Sequence, residues 1–292
     1  ASFTPSPSGT KIQVKQMLVG RLRRARRIMK QSVESLIESF DCEATTYDFE
    51  TNTFHHQVSE YVILQNIVNL LGNNLNLSIL DSGGGTGKFA LALSKLGYKV
   101  ELIDISPKSI QIAQQKFDSN KLKINISTQN SEHTKYEDNT FDLVMLNGAV
   151  ISYTQDPEQL LRETNRILKQ NGIIVFDFFN TIGWSIEIRD PEIVSKIIKS
   201  DTFSIQMPDW KYPARLMSIK YVEQILKSNG FNVINKKGLI NITHAFDLDY
   251  RYSKDYSLDV VKEYQKIELE MSNRQDCVGT SWSCIIVGKK IN

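Results

Sequence analysis

Glycines and carboxylates carry the most legible chemistry in this chain. From Leu77 to Ser106 it reads L-S-I-L-D-S-G-G-G-T-G-K-F-A-L-A-L-S-K-L-G-Y-K-V-E-L-I-D-I-S. An apolar run ends in Asp81 and gives way to Gly83, Gly84, Gly85 and Gly87; a second, Val100 to Ile103, ends in Asp104. Glycines lack a Cβ, so the main chain can turn sharply and a ligand can lie against bare backbone. A helix starting near Thr86 would point its N–H groups at the same place. An acid about 20 residues further on can accept both hydroxyls of a ribose. That chemistry is nucleoside binding.

Spacing separates the nucleosides. A P-loop ending at Gly87-Lys88 requires glycine where Ser82 stands and a hydroxyl residue where Phe89 stands, so ATP by that route is excluded. A dinucleotide fingerprint starting at Gly83 needs its third glycine at Lys88, which disfavours NAD. What remains is G-x-G-x-G at Gly83, Gly85 and Gly87 behind Leu80-Asp81.

The positioning elements follow from pattern. Leu77 to Leu80 reads as strand, Phe89, Ala90, Leu91 and Leu93 as a helical stripe, and Val100 to Ile103 as a second strand, which makes a βαβ unit. Ser106-Pro107 opens a helix to about Phe117, and Leu122 to Ile126 is a third strand. A fourth, Phe141 to Leu146, runs into Asn147-Gly148-Ala149 and Ile151-Ser152-Tyr153. Ligands of open α/β sheets lie outside the carboxyl ends of the strands, which places Asn147, Ser152 and Tyr153 where donor and acceptor would meet. Pro157 opens a helix over Glu158 to Lys169, Asn171-Gly172 closes it, and Ile173 to Phe178 is the next strand. From Thr181 to Met217 Trp184, Pro191, Pro208, Trp210, Tyr212 and Pro213 interrupt the alternation, as in an inserted lid or substrate-recognition segment. Ser218 to Ser228 reads as helix, Phe231 to Lys236 and Trp282 to Val287 as strands, and Ile240 to Gln275 as an aromatic and charged stretch with a Glu- and Lys-rich helix.

The stretch from Leu80 to Ser106, with E-D-N-T-F-D-L-V at Glu137 to Val144 and L-L-R-E-T-N-R-I-L-K-Q-N-G-I-I-V beyond it, resembles the class I S-adenosylmethionine (SAM) methyltransferases from about Tyr47 to Lys290. The resemblance implies a Rossmann-like α/β fold: a seven-stranded, mostly parallel sheet with helices on both faces and the last strand antiparallel. It implies SAM as cofactor, bound by Asp81, Gly83, Gly84, Gly85, Gly87, Asp104, Ile105, Asn130, Ser131 and Asn147. Asn130-Ser131-Glu132 stands where relatives carry Asp-Ala-Glu at the adenine. The segment before the first strand folds over the SAM site in such enzymes, which makes Tyr47, His55 and His56 candidates for closing it. Tyr47, His55, Ser152, Tyr153 and Trp184 are the candidate substrate contacts. F-F-N-T after strand five and Tyr212-Pro213 give a further likeness to bacterial enzymes that esterify the carboxymethoxy group of wobble uridine in tRNA. Those carry an arginine before the first strand, where this chain has His55-His56-Gln57.

A sulfonium methyl is already electrophilic, so holding a nucleophile in line supplies most of the catalysis and no metal is required. A base is needed only for an acceptor protonated at neutral pH; His56, Tyr153 and His244 are the candidates. The expected activity is methyl transfer to O or N of a small-molecule metabolite. The alternatives are a tRNA wobble-uridine methyltransferase and a non-catalytic SAM-binding regulator.

At 292 residues the chain can hold one α/β domain with extensions. The expected division is 1–45, a disordered tail and basic amphipathic helix, and 46–292, the methyltransferase domain with its insertion at about 181–217. No apolar run approaches 18 residues, so no membrane span is expected. Cys42, Cys277 and Cys284 fit no metal spacing and cannot pair evenly, as expected of reduced thiols in the cytoplasm. Lys11 to Lys30 holds eight basic residues and no acid in a chain of net charge +2, which leaves −6 for everything outside. Val14, Leu18, Leu22, Ala25, Met29, Val33, Leu36 and Phe40 form an apolar stripe beside those arginines. The stripe can pack on the body of the protein or on a second subunit, as in a homodimer; the arginines can alternatively meet RNA phosphates or an acidic membrane.

Overall fold

The structure, a computed structural model, describes residues 32–188, 190–206 and 212–291. The expected tail and the Lys11 to Lys30 segment lie outside the described residues.

Two helices precede the sheet, α1 (Val33–Glu50) and α2 (Phe54–Leu71). Ser32 caps the first by accepting from the Ser35 N–H, and Thr53 caps the second by accepting from the His56 N–H. The rest alternates: β1 (Ser78–Ser82), α3 (Lys88–Lys95), β2 (Lys99–Asp104), α4 (Pro107–Ser119), β3 (Ile126–Thr128), β4 (Phe141–Leu146), α5 (Val150–Tyr153), α6 (Pro157–Ile167) and β5 (Leu168–Phe179). Four elements follow, α7 (Thr181–Glu187), α8 (Pro191–Ile198), β6 (Thr202–Ile205) and β7 (Ala214–Met217). The chain then returns through α9 (Ile219–Ser228), β8 (Phe231–Leu239), a 3₁₀ turn at Thr243–Ala245, α10 (Leu248–Arg251), α11 (Leu258–Ser272) and β9 (Ser283–Lys290).

The sheet order is β3-β2-β1-β4-β5-β9-β8, with β9 antiparallel to both its neighbours and the other pairs parallel. The strands alternate their apolar residues between two cores. Ile79, Leu102, Leu143, Met145, Val175 and Ile285 face α2, α3, α4 and α11. Leu80, Ile103, Val144, Leu146, Ile174, Phe176 and Ile286 face α6 and α9. Each strand thus satisfies the period-two rule on both faces at once, which is why it reads as a continuous apolar run. The expected seven-stranded, mostly parallel sheet with an antiparallel last strand is what the chain forms.

Some boundaries move. The third strand is Ile126–Thr128 rather than Leu122 to Ile126. It is an edge with only β2 beside it; the upstream Leu122 and Ile124 still pack on the core while their backbone stays outside the ladder. Asn171-Gly172 does not close α6, which ends at Ile167. Instead it bulges β5, where Asn171 takes φ 62° and the pairing steps from Phe141↔Leu168 to Leu143↔Ile173. The expected boundary at 45/46 falls inside the continuous helix α1. The insertion at 181–217 has a small core of its own, built on Trp184, Ile197, Ile205, Ala214 and Leu216 with Phe179 and Ala149.

Candidate active site

Strand order reverses between β1 and β4, and the residues singled out from sequence gather at the carboxyl ends of the strands on either side of that point. The turn after β1 climbs through three left-handed glycines, Gly83 (φ 79°), Gly85 (φ 55°) and Gly87 (φ 83°). Their roles differ. A Cβ on Gly83 would meet Val150 at 2.7 Å, one on Gly84 would meet the Asp81 carboxylate at 2.7 Å, and one on Gly87 would press on Ala113 and Leu102 at 3.3 Å. Those three let elements pack closely. Gly85 faces open space, as does Gly148 (φ 82°) across the cleft after β4.

Asp104 closes the turn from the side: its Oδ2 accepts from the Gly85 N–H at 2.8 Å and its Oδ1 from the Ser106 N–H at 2.8 Å. Burial raises its pKa, against the pull of those backbone bonds. Asp81 is 1% exposed, holds the Ala90 N–H at 3.1 Å through Oδ2, and leaves Oδ1 buried without a partner. Burial pushes this carboxyl up to about 7. The Asn147 carboxamide is buried with both polar atoms unpaired. Of the remaining sequence candidates, Ser131 accepts from Ser82 Oγ at 2.8 Å, and the Asn130 Oδ1 accepts from the Glu132 N–H at 2.9 Å, which shapes the loop after β3. Ile105 sits at the end of β2, beside Asp104. Open space at Gly85 and Gly148, with unpaired polar atoms on Asp81 and Asn147 beside it, fits a nucleoside carrying a polar amino-acid tail.

Helix α1 roofs this cleft. Asp41 accepts from Ser106 Oγ and from the Lys108 N–H, and Asp48 accepts from Thr86 Oγ1 at 2.7 Å and pairs with Lys116. Burial pulls Asp48 upward, but the Lys116 and Thr86 bonds outweigh it and hold the carboxyl below its usual range. Lys88 is tied to Glu60 and Thr51 at 2.6 and 2.7 Å and stands 5.5 Å from the Tyr47 ring centroid. The Tyr47 ring is partly exposed, yet its hydroxyl titrates high, by desolvation first and then through Glu60, Asp48, Asp104 and Asp177. That end of the side chain lies inward, among the acids.

Beside the cleft stands an aromatic wall. Tyr153 meets Tyr212 at 4.9 Å, Phe40 at 6.2 Å and Phe179 at 5.7 Å, and Phe40 meets Tyr212 at 4.6 Å. Phe179 continues to Trp184 and Trp282, which stack on each other at 4.8 Å. Burial raises the pKa of both Tyr153 and Tyr212, so both stay protonated. The Ser152 hydroxyl is committed to structure, since its oxygen accepts from the Phe179 N–H at 3.2 Å. His55 is buried against Trp282 and Tyr252, and His56 is oriented by Thr53 Oγ1 at 2.8 Å from its Nδ1. Burial, with Lys88 adding to it, lowers His56 to about 4, so the imidazole is neutral at physiological pH. His244 lies 3.0 Å from Glu187, which also holds Arg251 at 2.6 Å.

Sequence reasoning missed Asp177, Glu43, Tyr212, Glu187 and Arg251. Asp177 is buried at the end of β5, where its two oxygens accept from the Gly148 and Ala149 N–H groups at 2.8 and 3.1 Å and so fix the left-handed turn that carries Asn147. Burial pushes it up to about 6. The signal was available: an acid inside the apolar run I-I-V-F-D-F-F.

Comparison with known proteins bears on the fold and on the methyl donor. Residues 80–176 match the methyltransferase domain family. A ubiquinone biosynthesis O-methyltransferase of Pelagibacter ubique is 27% identical over 195 residues, covering 65% of this chain and 75% of the relative. A tRNA 5-carboxymethoxyuridine methyltransferase of Escherichia coli is 27% identical over 110 residues, 37% of this chain and 42% of that one. The crystal structure of a SAM-dependent methyltransferase from Methanosarcina mazei shares the fold, with a TM-score of 0.52 and 20% identity over 77% of this chain and 97% of that one. Residues 80–176 thus carry a methyltransferase domain, on a fold this chain shares with a SAM-dependent methyltransferase of known structure. The protein is a methyltransferase whose methyl donor is S-adenosylmethionine. No helix among the described residues is long and apolar enough to cross a membrane.

Proposed function

We propose that the enzyme methylates O or N of a small-molecule metabolite, in a pocket between the roof helix α1 and the aromatic wall. The observation that carries this reading is the charge of the roof. Helix α1 holds Glu34, Glu38, Asp41, Glu43, Asp48 and Glu50 and no basic residue. A polyphosphate strand approaching the cleft would meet that acidic surface, whereas a small acceptor can be enclosed beneath it.

The bare backbone at Gly85, the Asp104 carboxylate and the loop at Asn130-Ser131 would hold the nucleoside, with Ile105 against its base. Asp81 and Asn147, each with unpaired buried atoms, would hold the amino-acid tail. Bound there, SAM supplies an electrophilic methyl group. The protein's part is to place the acceptor at near-attack distance, which is worth about 7–11 kcal/mol where orientation is good. Tyr47, Tyr153 and Trp184 would wall the acceptor in, and Ser152 acts through the end of β5. Of the base candidates, His56 is neutral at physiological pH with its ring oriented by Thr53, Tyr153 holds its proton, and His244 is engaged by Glu187.

A tRNA acceptor is the second reading, favoured by Lys11 to Lys30 and by the tRNA-modifying relative. One experiment separates the two. Incubation of the full chain with methyl-labelled SAM and cell extract, followed by fractionation, should put label in the small-molecule pool. Label in tRNA, together with RNA affinity that falls steeply with salt and is lost on deleting residues 11–30, would replace the first reading by the second. No label in either pool would remove both readings of the acceptor.

A further inference from the structure

The acceptor side holds three buried nitrogen groups that share one chemical need. Arg251 is 2% exposed; its Nη1 donates to Glu187 Oε1 at 2.6 Å, while its Nε is buried without a partner. His55 is 3% exposed, with Nδ1 buried and unpaired. The Trp282 indole Nε1 is buried and unpaired as well. They come from α10, from the first turn of α2 and from the residue before β9; His55 and Arg251 flank the ring of Tyr252, and Trp282 joins them through His55. The Tyr252 centroid lies 5.4 Å from that of His55 and 5.8 Å from the Arg251 Cζ, and His55 packs edge-on against Trp282 at 4.9 Å.

Arginine and indole nitrogens only donate, and a neutral imidazole donates from one of its two nitrogens. Burial first, with the Arg251 charge adding to it, keeps His55 in that neutral form. A buried donor without an acceptor costs about 1–3 kcal/mol, so the Arg251 Nε and the Trp282 Nε1 are a standing cost that an arriving acceptor oxygen would relieve, and the His55 tautomer with its proton on Nδ1 adds a third donor. A guanidinium prefers that oxygen to be anionic and held in an N–H···O⁻ bond. From Trp282 the rings of Trp184, Phe179 and Tyr153 continue without a break to the edge of the cofactor cleft.

We propose that His55, Arg251 and Trp282 form an anion subsite that takes a carboxylate of the acceptor, held one flat ring away from the atom that is methylated. This rests on the small-molecule reading above. Glu187 remains the partner of the Arg251 Nη1, so the incoming carboxylate takes the donors that Glu187 leaves unused.

The test uses the full chain saturated with S-adenosylhomocysteine and two probes of one shape, 4-hydroxybenzoate and its neutral analogue 4-hydroxybenzamide. The readout is the indole N–H resonance of Trp282, identified by its loss in Trp282→Phe. The carboxylate should shift that resonance downfield and saturably, with the amide binding at least tenfold more weakly. Arg251→Gln should erase the preference while S-adenosylhomocysteine affinity stays within twofold. Should that variant fail to fold, Trp282→Phe keeps an aromatic side chain and removes the N–H, and its carboxylate affinity, read by calorimetry, should fall three- to tenfold. Equal affinities, no saturable shift with either probe, as when water alone satisfies these donors, or a preference surviving both substitutions would overturn the subsite. Failure here is separable from failure of the small-molecule reading: label found in tRNA with the carboxylate preference intact removes that reading alone, and labelled metabolites without the preference remove the subsite alone.

Discussion

The cofactor side and the acceptor side of this cleft are built on different terms. On the cofactor side, Asp81, the glycines and Asp104 lie within 24 consecutive residues, and much of the recognition surface is main chain. On the acceptor side the wall comes from the first turn of α2, α5, the end of β5, α7, Tyr212, α10 and the approach to β9, and it is built from side chains that meet across the fold. The backbone site depends on φ values that glycine adopts without strain, so its residue types are nearly dictated. The side-chain site depends on which rings happen to meet, and many sequences satisfy that. One fold can therefore keep its methyl donor while its acceptor changes.

The largest expected effect comes from filling the backbone site without disturbing the fold. A Cβ on Gly85 meets nothing within 4 Å, so Gly85→Arg adds bulk only to the open space proposed to take the donor. Its left-handed φ of 55° costs about 1–2 kcal/mol in stability. SAM affinity measured by calorimetry should fall at least 100-fold, with the thermal transition lowered by only a few degrees. Gly83→Ala is the contrast: its Cβ would overlap Val150 at 2.7 Å and should lower stability first. If Gly85→Arg binds SAM normally, the cofactor side has been misplaced and the comparison fails.

That asymmetry also governs what could be read in advance. The order of elements, the open sheet and the donor-binding turn were legible, because a βαβ unit repeats its apolar period and its glycines and acid are adjacent in sequence. Asp177 and Tyr212 could be seen as an acid in an apolar run and a tyrosine before proline, but nothing local says that both face Tyr153. The Glu187, His244 and Arg251 cluster is joined by contacts across 64 positions, and the basic residues of Lys11 to Lys30 gave no sign that the helix after them is wholly acidic on its charged side. Side-chain convergence is a tertiary property, and one sequence does not display it.

A second, smaller effect sharpens the contrast by titration. Burial raises Asp81 to about 7, so in the free protein the folded state binds a proton that the unfolded chain, with an ordinary carboxyl near 3.8, has released. Stability from this group is present below about pH 4 and is lost as pH rises towards 7. Asp81→Asn keeps an oxygen for the Ala90 N–H and removes the buried charge. It should therefore stabilise the free protein at pH 8, by roughly a few kcal/mol at most, and make no difference near pH 4. Binding should show the opposite sign. If the carboxylate meets the ammonium of the SAM tail, wild-type affinity falls as pH drops below 7, approaching tenfold per unit, and Asp81→Asn is weaker at pH 8 with a flat profile. Calorimetry across pH 5.5 to 8.5 checks both, and a flat wild-type profile would detach Asp81 from the donor.

The smallest effect concerns the roof, which belongs to both sides. Asp48 joins α1 to the glycine turn and α4 through Thr86 and Lys116, and with Asp41 at the start of α4 it holds the helix over the cleft. The pair with Lys116 is partly exposed, with 24% and 39% of the two side chains accessible, so its worth is at most about 1 kcal/mol. Asp48→Asn keeps an acceptor for Thr86 and loses the ion pair. The expected result is a two- to threefold faster release of S-adenosylhomocysteine in stopped flow, an unchanged melting temperature, and a wild-type rate that approaches the variant's as salt is raised. A roof that only covers the acceptor would leave donor release untouched, and an unchanged rate in Asp48→Asn would assign α1 to the side-chain half of the cleft alone.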